Sequence, residues 1–163
     1  MIGIMSDSHD NLDAIKDAVV FFNEKKVMAV LHAGDIVSPF TARAFKELDA
    51  KLYFVFGNND GDKVLLREWF EEFGAQSCGN FGDLTIGGQH IALLHGINEA
   101  EVKALAASGD FDIVIRGHTH DAGVEHIKSV PVVNPGETAG VLTGKRTVAL
   151  LDTSTLDVEI VEL

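Results

Sequence analysis

Ile2-Gly3-Ile4-Met5-Ser6-Asp7-Ser8-His9 decides the reading of this chain. Four residues without a polar side chain run straight into Asp7 and His9, two side chains of metal-binding or proton-transfer type. The run is too short for a helix and shows no polar alternation, so it reads as a strand buried on both faces. The same event recurs along the chain. Residues 27–31 lead into His32-Ala33-Gly34-Asp35, and residues 52–56 into Gly57-Asn58-Asn59-Asp60. Gln89–Leu94 leads into His95-Gly96, and residues 112–116 into Gly117-His118-Thr119-His120. Sites in open α/β sheets assemble at the carboxyl ends of strands. Five loops therefore deliver Asp7, His9, Asp35, Asn58, His95, His118 and His120 toward one crevice.

The segments between these strands carry helix and hairpin signals. Apolar residues recur at Leu12, Ile15, Val19 and Phe22, the stripe of an amphipathic helix. Ser38-Pro39 predicts an N-cap with proline in the first turn, opening a helix that turns Phe40, Ala44, Phe45 and Leu48 to the core. Residues 63–73 predict another helix, stopped by Gly74. Residues 84–86 and 89–94 flank Gly87-Gly88 as a hairpin. Asn98 with Glu101 predicts a capping box for a helix to about Ser108, closed by Gly109. Residues 124–127 and 132–133 predict two more strands, and 146–152 with 156–161 a last hairpin. The sum is one α/β domain over residues 1–163 with a partly antiparallel sheet.

Composition narrows the function. At 163 residues, 46% hydrophobic and 23% charged, the chain has the makeup of an ordinary globular domain. A formal charge of −12 argues against nucleic acid, whose phosphates need Lys and Arg. The start is neither basic nor followed by a long apolar stretch, so no secretory signal or membrane span is expected. Cys78 is the single cysteine and has no internal partner, which agrees with a reducing, cytoplasmic setting. Exposed sheet edges allow a homodimer or higher homo-oligomer.

Carboxylates, imidazoles and an amide oxygen, with no thiolate, suit manganese, iron, cobalt, nickel or zinc. Asp-x-His and His-x-His each place two donors on one loop. Seven donors exceed the needs of one tetrahedral ion. A bridging carboxylate lets them serve two ions about 3.5–4 Å apart, the spacing of hydrolytic two-metal sites.

These motifs, with Asn134-Pro135-Gly136 as a further match, resemble the calcineurin-like metallophosphoesterase superfamily, and within it the small phosphodiesterases of the YfcE type. The resemblance runs over nearly the whole chain. It implies a four-layer α-β-β-α sandwich of two mixed sheets with the metals at the strand ends. It implies that one ion takes Asp7, His9, Asp35 and His120, and the other Asp35, Asn58, His95 and His118. Manganese is the expected metal, with nickel, iron, cobalt or zinc as alternatives. The implied activity is hydrolysis of a small or activated phosphodiester by a hydroxide bridging the ions, with a phosphomonoesterase as the rival and an interaction scaffold as a remoter one. His9 and Asn59 are the implied catalytic positions. Many relatives carry histidine where Asn59 stands, and some carry it where Ile97 stands. An amide is no acid near neutral pH, so leaving-group protonation is expected to be weak.

Other residues invite plainer readings. His90 and His126 are expected at the surface or a sheet edge, and His32 is expected to support the Asp35 loop. Trp69, Phe70 and Phe73 are expected to be core. Arg116, inside an apolar strand, is expected to pair with a buried carboxylate.

Overall fold

The computed structural model describes residues 1–163. Strands β1 (Ile2–Met5), β2 (Ala29–His32), β3 (Lys51–Phe54) and β4 (Gln76–Ser77) run parallel, each beside the next. On the other side of β1 lie β10 (Thr147–Leu151) and then β11 (Val158–Glu162), both pairings antiparallel. The second sheet has the order β5-β6-β7-β9-β8, built from Phe81–Ile86, Gln89–Leu94, Ile113–Ile115, Val130–Asn134 and Gly123–Ile127 respectively. Its middle pairings are parallel and its two outer ones antiparallel.

The period of two in each strand sorts its side chains between two cores. Ile2 and Ile4 point between the sheets, into a cluster with Leu31, Val55, Ile91, Ile113, Val133 and Leu151. Met5 points the other way, onto the helices α1 (Leu12–Lys25), α2 (Ala42–Phe45) and α3 (Lys63–Glu71). Gly3 shares that outward face, and a Cβ there would lie 2.6 Å from the Phe22 ring of α1, so only glycine fits. Helix α4 (Glu99–Ser108) covers the outer face of the second sheet through Val102 and Ala106. The four layers expected from the resemblance are therefore present. No helix is long and apolar enough to cross a membrane.

Local signals account for most boundaries. Asn11 and Asp62 accept backbone N–H groups as N-caps of α1 and α3. Gly87 and Gly88, at φ 61° and 85°, make the hairpin turn that needs left-handed backbone at both positions. Asn98 caps α4 by accepting from Ala100, but its amide meets the Glu101 carboxylate loosely at 3.4 Å, so only half of the capping box forms.

One predicted helix is much shorter than expected. Ser38-Pro39 opens a single 3-10 turn and a four-residue α2 rather than a full helix, which rotates Phe40 out to 62% exposure. Phe40 then meets Trp69 edge to face at 5.1 Å instead of entering the core. Phe70 is buried, and Trp69 and Phe73 pack against the same cluster, as expected.

Candidate metal centre

The carboxyl ends of β1, β2, β3, β6 and β7 meet at one edge of the two sheets, and every predicted donor emerges there. The first two loops are laced together. Asp7 N–H donates to Gly34 O at 3.0 Å, and His9 N–H donates to Asp35 O at 3.1 Å. Five of the seven donor residues hold left-handed backbone: Asp7, His9, Asp35, His118 and His120, with φ between 39° and 71°. Such a conformation costs a non-glycine residue on the order of 1–3 kcal/mol and persists only where surroundings enforce it. Its concentration at these residues marks a constructed site.

The histidines are oriented by their outer nitrogens. His95 Nδ1 donates to Ala33 O at 2.8 Å, which aims Nε2 at Asp35 Oδ2, 3.4 Å away, and at Asn58 Oδ1, 3.0 Å away. His120 Nδ1 donates to Glu137 Oε2 at 2.8 Å, which leaves Nε2 facing Asp7 Oδ1 at 3.3 Å. This carbonyl- or carboxylate-backed imidazole is the arrangement of metal-ligating histidine. His9 Nε2 stands 3.7 Å from both Asp7 Oδ1 and Asp35 Oδ2, beyond hydrogen-bond reach. Asp7 Oδ1 and His9 Nε2 are buried with no partner at all. Two orphaned atoms converging in this way are what a bound cation satisfies.

Charge points the same way. Burial alone raises the Asp35 pKa, but His95 and the two Asn59 donors outweigh it and hold the group below the usual carboxylate range. Asp7 is likewise lowered against burial, by His9 and by the Ser6 hydroxyl at 2.6 Å. His9 is raised chiefly by the Asp7 carboxylate, and His95 is raised by Asp35 against the opposing effect of burial. The cluster draws positive charge to itself. Asp7, His9 and His120 form one group whose ligand atoms lie within 4.8 Å of one another, and Asp7, Asp35 and His95 form another. The donor set and its orphaned atoms fit divalent metal.

Residues 1–156 match the calcineurin-like phosphoesterase superfamily domain. The chain belongs to that superfamily. It is 39% identical over 153 residues to a phosphodiesterase of Methanocaldococcus jannaschii, covering 93% of this chain and 92% of that one. A solved archaeal phosphodiesterase superposes at TM-score 0.95 with 37% identity over 99% of both chains. YfcE, a phosphoesterase from E. coli, shares the fold at TM-score 0.68 and 17% identity, over 98% of this chain and 97% of its own.

Within this calcineurin-like site, the other predicted residues take distinct places. Asn58 is exposed and reaches only His95. The His118 ring stands edge-on to His95 at 5.1 Å, outside both groups of ligand atoms, and burial lowers its pKa. Asn59 donates to Asp35 through its backbone and its side chain, both at 2.7 Å, so it orients that carboxylate. His32 is fully buried and its pKa is pushed down by burial to about 3. It supports the loops, accepting from Gly34 N–H and meeting Ser8 Oγ at 3.0 Å. Arg116 pairs with Glu99 and donates to Gly96 O. That carboxylate is half exposed, not buried as expected, because it lies in the first turn of α4 at the surface. His90 sits on the surface between Asp83 and Asp110 O.

Two buried carboxylates escaped the sequence reading. Asp60 accepts from the backbone N–H of Asp35, Val37 and Gly57 at 3.2, 2.6 and 2.6 Å. Its place in Asn-Asn-Asp-Gly reads as an ordinary loop. Asp60→Ala strands three amides and is expected to cost about 2–4 kcal/mol in denaturant unfolding, with Asp60→Asn recovering part. Glu137 was signalled only by its position after Asn134-Pro135-Gly136. It holds His120 and also accepts from Leu142 N–H and Thr143 Oγ1, each at 2.8 Å. Glu137→Gln is expected to weaken manganese binding about 10- to 100-fold in a calorimetric titration, with the fold retained.

Proposed function

We propose that the chain is a phosphodiesterase working with two divalent metal ions, manganese first among the candidates. One observation carries the two-ion reading. Asp35 Oδ2 lies between a histidine of each expected ligand set, 3.7 Å from His9 Nε2 and 3.4 Å from His95 Nε2. Asp7, His9, Asp35 and His120 would hold one ion, and Asp35, Asn58, His95 and His118 the other. When bound, such ions supply positive charge against the phosphoryl oxygens and a water acidic enough to serve as nucleophile near neutral pH.

The chain's own side chains do the rest. Glu137 and the Ala33 carbonyl fix the imidazoles of His120 and His95 in the tautomer that presents Nε2. Asn59 locks the Asp35 carboxylate, so its amide is committed to positioning rather than to proton transfer. Ile97, 58% exposed at the rim, offers no proton either. Departure of the leaving group therefore has little acid assistance, which favours esters of acidic alcohols. The 39% identical relative named as a phosphodiesterase supports the diester over the monoester.

Parallel assays with manganese test this directly. Bis(p-nitrophenyl) phosphate is expected to exceed p-nitrophenyl phosphate by at least about 10-fold in kcat/KM, the measure of discrimination. The reverse order would make the chain a monoesterase on the same donors.

A further inference from the structure

Beside the donor cluster opens a cavity of about 780 Å³ that shares Asn58 and His95 with it. A phosphate held by the donors does not fill such a space, which lies in the roughly 300–1,000 Å³ range of sites for whole organic ligands. Phe56, Phe81, Ile97, Leu105 and Phe111 give its walls a largely apolar character. Phe81 and Phe111 meet edge to face at 6.0 Å, and the His90 ring already lies 4.6 Å from the centroid of Phe111, so Phe81 is the ring with surface left for a third aromatic group. Phe81 is 40% exposed and Ile97 58% exposed, although both line a concave surface continuous with the donors.

Charge in the lining restricts the occupant further. Lys63 is its single lysine or arginine, and its ammonium lies 5.4 Å from the centroid of the Phe56 ring. Glu101 and Asp110 stand in the same lining. Two carboxylates repel a second phosphate or a carboxylate carried on the ligand, whereas an uncharged ring is tolerated. Ile97, whose position removes a proton donor from the reaction, thereby gains a purpose as an apolar wall.

We propose that this cavity binds one uncharged aromatic arm of the phosphodiester, with the phosphate at the donor cluster and the second arm toward solvent. This rests on the phosphodiesterase reading given above, and it names the class of substrate: diesters with a neutral aromatic substituent, in preference to small dialkyl diesters or ligands with further phosphates. Ala104, exposed on α4 in the same lining, controls the space without touching the donors.

Diphenyl phosphate and dimethyl phosphate carry the same central charge and differ in their arms. Both are to be measured as competitive inhibitors of bis(p-nitrophenyl) phosphate hydrolysis by the manganese-loaded chain, and by calorimetry. Burial of one phenyl ring is expected to favour diphenyl phosphate by about 10- to 100-fold. Ala104→Trp fills the cavity, and Phe81→Ala removes a wall on an independent element in case the first variant folds poorly. Either is expected to cut that advantage to about 3-fold or less, with manganese content and dimethyl phosphate affinity unchanged. Equal affinity for the two inhibitors in a hydrolysing wild-type enzyme would overturn the aromatic subsite and leave the phosphodiesterase reading standing. A manganese-loaded chain that hydrolyses no diester would overturn that reading and this inference with it.

Discussion

Asp35→Ala is expected to lose both ions and to lower kcat/KM on an aryl diester by on the order of 10³-fold or more, at least about 4 kcal/mol of transition-state stabilisation. The magnitude follows from what Asp35 touches. Its carboxylate is almost fully buried, accepts two 2.7 Å hydrogen bonds from Asn59, and lies between His9 and His95. In the proposed arrangement, removing it withdraws the one negative group common to both ligand sets. Asp35→Asn preserves the volume and removes only the charge, so an equal loss there separates ligation from packing. Asn58→Ala is the contrasting case. Asn58 is exposed and has a single contact, so its loss is expected to loosen one ion and cost about 10- to 100-fold, the range of a supporting contact.

Gly57→Ala is expected to be nearly as damaging, although glycine performs no chemistry. A Cβ at this position would lie 2.1 Å from Asp35 Oδ1 and 2.5 Å from Asp35 N. Both are inside van der Waals contact, and neither belongs to the free end of a flexible chain. The Asp35 loop must retreat by about 1 Å, a displacement that costs on the order of 10²-fold in rate where reacting groups are held in register. Overpacking adds about 1–3 kcal/mol of destabilisation. Gly61, four residues on, has nothing within 4 Å of its Cβ position. Gly61→Ala therefore provides the control: same loop, same substitution, and activity and unfolding midpoint close to wild type.

These two glycines illustrate what a one-dimensional reading reaches. The donors were legible because each follows a short apolar run, and a buried strand that ends in Asp or His has few uses for it. Gly57 was legible as the residue that follows a strand, but its closeness to Asp35 was not, because the two lie on loops joined only through the fold. Asp60 and Glu137 escaped for the same reason. Their work is done on backbone amides and on a histidine from other loops, which leaves no pattern in their own neighbourhood.

The fold divides similarly. The alternation Ile2, Ile4 against Met5 shows a strand buried on both faces, yet nothing local says that two sheets share the core. The separation of β1–β4 from β5–β9 came from the resemblance, not from periodicity. Strand β4, only Gln76–Ser77, has no apolar run to announce it. Phe40 was misplaced because cap and proline signals open a turn without fixing how long the helix continues, and one 3-10 turn rotates every later side chain.

Two carboxylates, three histidines and a tightly held Asn59 gathered at the ends of five strands support a dinuclear site, and the number of ions is its plainest consequence. Equilibrium dialysis of the wild-type chain against manganese, with metal counted per chain at saturation, measures it. Two ions per chain are expected in the wild type and none in Asp35→Ala at the same free concentration. One ion in the wild type, or two retained by Asp35→Ala, would contradict a site bridged by Asp35.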